Sequence, residues 1–485
     1  MRLKSIHMLL VIAVTFFFSN NYLFGQKIPV TTSSEEARTF YLQGQALADK
    51  LRAQESIAFF EKAVEKDDQF AMAYLNLAFT AQSTKSFFEN VDKAVALKDK
   101  VSEGEQLQIL ALQAAANGRF MEQLAHFKKL VEQYPNDERA LNGLAGAYFV
   151  QQEFNLAIEF YEKAIAINPD FSPPYNQMGY AHRALENYDK AEKAFKKYIE
   201  LIPDDPNPYD SYAELLLKLG RFDESIEQYK KALTQNPNFV ASFVGIATNL
   251  DLQGKHETAR QELKKLYDSA KNDGQRRTAH FATAVSYVYE GHPDKAIAEI
   301  KKNIALAKSI NDAAAMAGDF LTIGNILLES GQPEKAMQEY KKALSVVQES
   351  ELSQENKDNA ALNYLYSEAR VATKRGDLEL ADQKARLYLQ GAEKIGNPFT
   401  IRQAHSVLGI IALEGKKYDI AIKELLQANQ QNPYDLFRLA RAYQGAGEKD
   451  LAKSFCKKAA HFNAINNMNQ AFILRDAREM LTSLQ

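Results

Sequence analysis

Residues 175–203 read YNQMGYAHRALENYDKAEKAFKKYIELIP. The second half decides the fold, because it recurs. Stacked beside it are FNLAIEFYEKAIAINP, FDESIEQYKKALTQNP and HETARQELKKLYDSAK. Their small residues fall at Ala157, Ala191, Ser225 and Ala259, 34 apart each time. One step upstream, GRFMEQLAHFKKLVEQYP keeps the frame, with Gln123 in the small-residue slot. Pro135, Pro169, Pro203 and Pro237 close the units at the same spacing. A fixed period of this size is the mark of a stacked repeat.

Each unit contains two amphipathic patterns. Leu141, Leu144, Ala145 and Tyr148 share one helical face, and Ala157, Phe160, Tyr161 and Ala164 share another. Gly220 and Gly254 mark the turn inside the pair, and the prolines end its second helix. Tyr175, Met178, Gly179, Tyr188, Ala191, Phe195 and Pro203 carry a pattern that resembles the tetratricopeptide repeat family. Gln123 and Tyr198 depart from it, standing where the family prefers alanine. The resemblance covers about residues 36–460. It implies an all-α fold, a right-handed superhelical solenoid of antiparallel helix pairs. Residues 468–483, with Phe472, Ile473, Ala477, Met480 and Leu481, are expected to form a C-terminal capping helix.

The pattern loosens outside the regular block, which starts near residue 104. FYLQGQALADKLRAQESIAFFEKAVEKD is one unit upstream, and AYLNLAFTAQ opens a degenerate second. Downstream, the small residues are Ala296, Ala336, Ala381, Ala421 and Ala452, at spacings of 40, 45, 40 and 31. Longer helices or longer loops are needed there, and ESELSQENKD (349–358) is expected to be such a loop. The change of period and the polar DSAKNDGQRR (268–277) suggest two arrays, 36–272 and 273–485.

The N-terminus is separate. Arg2 and Lys4 precede the apolar run Met8–Phe18, and Gly25 offers a cleavage point before Gln26. This is the layout of a secretory signal peptide, 1–25, followed by a linker, 26–35. Eleven apolar residues fall short of the roughly 20 that span a bilayer; an uncleaved anchor is the alternative. Export to the periplasm or cell envelope, or secretion, is the expectation.

Composition narrows the function. The 485 residues carry a net charge of −3, with 46% hydrophobic and 25% charged residues. Nucleic acid would call for a basic surface, so it is not an expected partner. Cys456 is the only cysteine and falls at an apolar helical position, so it is expected in the core. The eight histidines form no HExxH or HxxxH pair, and neither a Walker loop nor a GxSxG elbow occurs. No catalytic residue, metal site or cofactor is assigned. Lys-Lys pairs recur in second helices, such as Lys196–Lys197 and Lys264–Lys265; nearby acids favour a solvated, internally paired face over a basic stripe.

Family resemblance implies that a groove lined by first helices binds a protein or peptide. Alignment to the family places Arg139, Asn142, Asn176, Tyr180, Arg183, Asn207, Asp210, Glu214, Lys218, Thr248 and Asp251 there. A small-ligand or glycan-binding groove is the other reading. Within PDDPNPYDSYAELLLKLG (203–220), Asn207 is expected as the helix cap, Pro208 as the first helical residue and Asp210 as the third, in a capping box. The Asp210–Glu214 edge is the expected place for a ligand contact.

Overall fold

The computed structural model describes residues 27–484. The expected signal peptide lies outside them. Among the described residues the chain forms twenty-five α-helices and no strand. Consecutive helices pair antiparallel, and the fold is a solenoid of such pairs. Inside each unit most second helices also pack on the next first helix, and several first helices touch the first helix of the following pair. One face of each array is therefore lined by first helices.

The chain divides into two compact units. The first comprises residues up to Thr80 and Phe88–Leu201. It holds α1 (Glu35–Ala48), α2 (Ala53–Lys66), α3 (Ala71–Phe79), most of α4 (Thr84–Ala96), α5 (Glu103–Ala116), α6 (Phe120–Gln133), α7 (Glu138–Val150), α8 (Phe154–Ile167), α9 (Pro173–Ala184) and α10 (Tyr188–Leu201). The second comprises Ala81–Phe87 and everything from Ile202. It runs from α11 (Pro206–Lys218), α12 (Phe222–Gln235), α13 (Val240–Leu252) and α14 (His256–Ser269) to α25 (Met468–Ser483).

The regular block shows why these residues fold so. In α10, Ala191, Ala194, Phe195 and Tyr198 are buried, which is the i, i+3, i+4, i+7 stripe. Helices α6, α8, α10 and α12 stop two residues before Pro135, Pro169, Pro203 and Pro237. Gly220 and Gly254 take φ of +74° and +78° in the turn within the pair, where glycine avoids the Cβ clash. Gln152 and Glu186 hold the equivalent position at φ 66° and 59°, the left-handed region that non-glycine residues adopt at some cost.

Close approach, within a pair at Gly179 and between pairs at Gly245, depends on a missing side chain. A Cβ on Gly179 would lie 2.5 Å from Phe195 Cε1, and one on Gly245 2.1 Å from Tyr229 Cζ. Both rings are fully buried. Gly179→Val is expected to lower unfolding stability by about 1–3 kcal/mol through overpacking. Urea unfolding followed by far-UV circular dichroism reads this; an unchanged midpoint would mean that α9 and α10 do not meet here.

The longer spacings after Ala259 are absorbed by longer helices. The helices from Asp273 to Glu414 have 16–22 residues, against 13 or 14 for those from Glu138 to Ser269, save the 12 of α9. The expected loop 349–358 is corrected accordingly. Ser353 caps a 22-residue helix, Gln354–Arg375, so only 349–353 lie between helices. Serine binds the free N–H groups of a first turn, and here its hydroxyl accepts from Asn356 N.

A second correction concerns α11. It starts at Pro206, with Asp205 as its cap position. Asn207 is therefore its second residue and Asp210 its fifth, too deep for a capping box. Both Pro206 and Pro208 suit a first turn, and the chain starts its helix at the earlier one. Tyr212, Ala213 and Leu216 are buried as expected. Cys456 is buried, donating to Ala477 O at 3.2 Å, and burial pushes its thiol pKa up. The lysine pairs meet local acids: Lys196–Glu192 at 2.8 Å, Lys197–Glu200 at 2.7 Å, Lys264–Asp268 at 2.7 Å and Lys265–Glu262 at 2.6 Å.

Candidate peptide-binding groove

In the first unit, two first helices begin with acids. Ser102 and Glu105 form a capping box at α5, and Asp137 caps α7 by accepting from Arg139 N and Ala140 N at 2.9 Å each. Negative charge suits a helix N-terminus, so both acids have a local reason to be there. Each also has an oxygen to spare, turned to an extended segment, Lys27–Ser33. Ile28 N donates to Asp137 Oδ2 at 3.0 Å, and Thr31 N to Glu105 Oε1 at 2.7 Å. The Thr31 hydroxyl donates to Glu105 Oε2 at 2.5 Å, and Lys27 pairs with Glu138. Burial pushes Glu138 up, but the Lys27 ammonium together with the backbone and Asn168 hydrogen bonds holds the carboxyl below its ordinary range. Further on, Asp67 Oδ2 accepts from the Thr32 hydroxyl at 2.5 Å and Ser33 N at 3.1 Å. Ile28 packs on Leu107, Leu130 and Ala140.

Beside this strap lies a cleft of about 410 Å³. Leu42, Met72, Leu75, Phe79 and Leu112 form its apolar lining, with Gln123, Arg139 and Asn142 among the polar groups. Phe79 is 63% exposed and Leu42 47%. Arg139 pairs with Asp49 at 2.6 Å and lies over the Phe171 ring. Asn142 Oδ1 and Gln123 Oε1 are buried and accept no hydrogen bond. A buried polar atom in this state calls for a donor.

The other expected groove residues of the first unit lie on α9, outside this cleft. Asn176 is buried and its Oδ1 also accepts no bond. Arg183 stacks over Tyr180 at 4.6 Å, and Tyr180 meets Phe195 edge-on.

The second unit covers its own groove. Lys218 Nζ donates to Phe462 O at 2.8 Å and sits 4.0 Å from the Phe462 ring centre. Thr248 Oγ1 accepts from Asn466 N at 3.1 Å, and Arg478 donates to Leu252 O at 3.3 Å. Leu474 packs with Leu217 and Leu252. Helix α25 thus has the expected bounds, and besides following the last pair it lies on first helices of the array. Asp210 and Asp251 bridge neighbouring first helices instead of opening to solvent. Asp210 accepts from Ser242 at 2.7 Å, and Asp251 from Ser286 at 2.8 Å with His256 Nδ1 at 2.9 Å. Asn207 accepts from Ser211 at 3.3 Å, and Glu214 stands close enough to help raise the Asp210 carboxyl.

Models of the tetratricopeptide repeat match four segments, residues 138–171, 160–193, 213–274 and 320–346. These segments are tetratricopeptide repeats. Among solved structures it is similar to a tetratricopeptide repeat protein from Parabacteroides merdae, at 16% identity over 56% of this chain and 94% of that one, TM-score 0.36. It is also similar to MamA, at 21% identity over 34% and 91%, TM-score 0.29. YrrB, described as a TPR protein with an unusual peptide-binding site, aligns at 19% identity over 37% and 91%, TM-score 0.26. No curated protein matches the sequence.

This tetratricopeptide array also holds a charged cluster that sequence reasoning missed. Glu329 pairs with Arg370 at 3.1 Å and Lys374 at 3.5 Å, and accepts from the Tyr434 hydroxyl. Burial raises Glu329, but Arg370, Lys374, Arg438 and the Tyr434 hydrogen bond together hold the carboxyl below its ordinary range. Arg438 stacks 3.7 Å from the Tyr434 ring centre and pairs with Asp435. The charges answer one another, so the cluster holds first helices together. Its members lie up to 109 positions apart in separate repeats, and no local pattern announces them. The strap had a fainter signal: Ile28 and Val30 alternate ahead of Ser34, which caps α1. Among the described residues no group of three or more His, Cys, Asp or Glu side chains could hold a metal ion, and no helix is long and apolar enough to cross a membrane.

Proposed function

We propose that the chain is an exported, non-catalytic scaffold of the cell envelope that binds a protein or peptide through the first-helix groove of its first unit. The observation that carries this is the strap. An extended segment already lies in the groove, held through backbone N–H groups, which every peptide has. The cleft beside it offers unbonded amide oxygens and exposed Phe79 and Leu42. The basic start and apolar run of residues 1–25 support export.

A photo-crosslinking amino acid in place of Phe79 tests it in the native envelope. The expected result is a covalent adduct with one or a few envelope proteins. No protein adduct, together with a small molecule retained in the native mass spectrum, overturns it in favour of a small-ligand or glycan module.

A further inference from the structure

We propose that the groove of the first unit selects extended segments bearing a cationic side chain followed by a β-branched residue and proline, and that Lys27–Thr32 is its resident example. The inference rests on reading this groove as a peptide site.

The acids that hold the strap are buried: Glu105 is 1% exposed, Asp137 5% and Glu138 6%. Asp137 divides its oxygens, Oδ1 to its own helix and Oδ2 to Ile28 N. Glu105 gives Oε2 to its capping box and Oε1 to Thr31 N. With the strap gone, Asp137 Oδ2 and Glu105 Oε1 lose these donors, Glu138 loses its ammonium, and all three acids lose the cover the strap gives them. Buried carboxylates demand donors and positive charge. Apart from Lys27, the cation beside Glu138 is Arg139 at 3.5 Å, and it is shared with Asp49.

Spacing suits the fit. Ile28 and Thr31 are three residues apart, about 10 Å in an extended chain. Their N–H groups meet the starts of two successive first helices, α7 and α5. Pro29 lies between them and brings no N–H that would need a partner. The Ile28 side chain takes the apolar floor of Leu107, Leu130 and Ala140. Lys27 and Pro29 remain exposed, so the strap is held on one side only. A segment held this way can open locally while the array stays folded, which lets a competing segment enter.

The test uses a fluorescent peptide of residues 27–34, KIPVTTSS, and the full chain carrying Ile28→Asp, which loosens the strap and leaves the acids in place. The expected result is binding at least tenfold tighter than to the wild type, and at least tenfold weaker for the same peptide with glutamate in place of lysine. Hydrogen exchange on the wild-type chain needs no variant: excess KIPVTTSS should speed exchange at the Ile28 and Thr31 amides. Equal binding of the lysine and glutamate peptides overturns the selectivity, as does unchanged exchange combined with no binding to the variant. A crosslinked envelope protein whose contact segment lacks a cation would likewise overturn the selectivity while leaving the scaffold standing.

Discussion

Asp210→Asn is expected to make the protein more stable at pH 8 and to flatten its loss of stability between pH 5 and 8. Burial, and then the nearby Glu214, push the Asp210 carboxyl from 3.8 to about 8, against the hydrogen bond from Ser242. Below the unfolded value both states are protonated and the site carries no penalty. As pH rises past it, the unfolded chain releases a proton that the folded chain keeps, so stability falls, and the loss is complete above about 8. A shift of this size is worth on the order of 5 kcal/mol. Asparagine has the same shape, keeps an oxygen for Ser242 and carries no charge to repel Glu214. Urea unfolding of both chains at pH 5 and pH 8 gives the answer. Equal pH dependence in the two would show that Asp210 ionises normally and is open to water.

Leu474→Asp is expected to release the C-terminal segment from the second unit. The side chain is buried with Leu217 and Leu252, beside Phe222 and Tyr289. Truncating a buried leucine costs about 2–5 kcal/mol, and placing a carboxylate there adds desolvation. Once released, the segment no longer delivers Asn466 N to Thr248 or the Arg478 guanidinium to Leu252 O. Hydrogen exchange across 462–483 should rise toward unprotected rates, and protease should cut near 461–467. Arg475→Asp is the control, since Arg475 lies on the same helix with its side chain 84% exposed. Wild-type protection in Leu474→Asp would mean that the segment is held elsewhere.

Much of this architecture is legible in the sequence because it is local. The 34-residue spacing of Ala157, Ala191 and Ser225 encodes a helix pair directly, and the packing that follows repeats with it. Alignment to the family placed Arg139 and Asn142 in a groove, and both line the cleft beside the strap. What the period does not encode is anything that happens once. Lys218 and Thr248 occupy ordinary groove positions, yet their partners lie 244 and 218 residues away. Glu105 and Asp137 look complete as helix caps, so nothing in their surroundings suggests a second task for their other oxygens. Asp210 was misplaced because two prolines both suit the start of α11, and a shift of two residues turns a cap into a buried acid.

Arg478 and Leu252 are 226 residues apart in the chain. Arrays that touch only their neighbours can fold as they are made, pair by pair. Here the surface around Leu217 and Leu252 is finished only when α25 arrives. At about 5–20 residues per second, those leucines wait roughly ten to forty-five seconds on a nascent chain before Leu474 reaches them. During that interval they form an apolar strip with nothing of their own to cover it. The completion of the second unit is thus tied to the synthesis of α25, and a chain cut short anywhere before α25 carries that strip permanently.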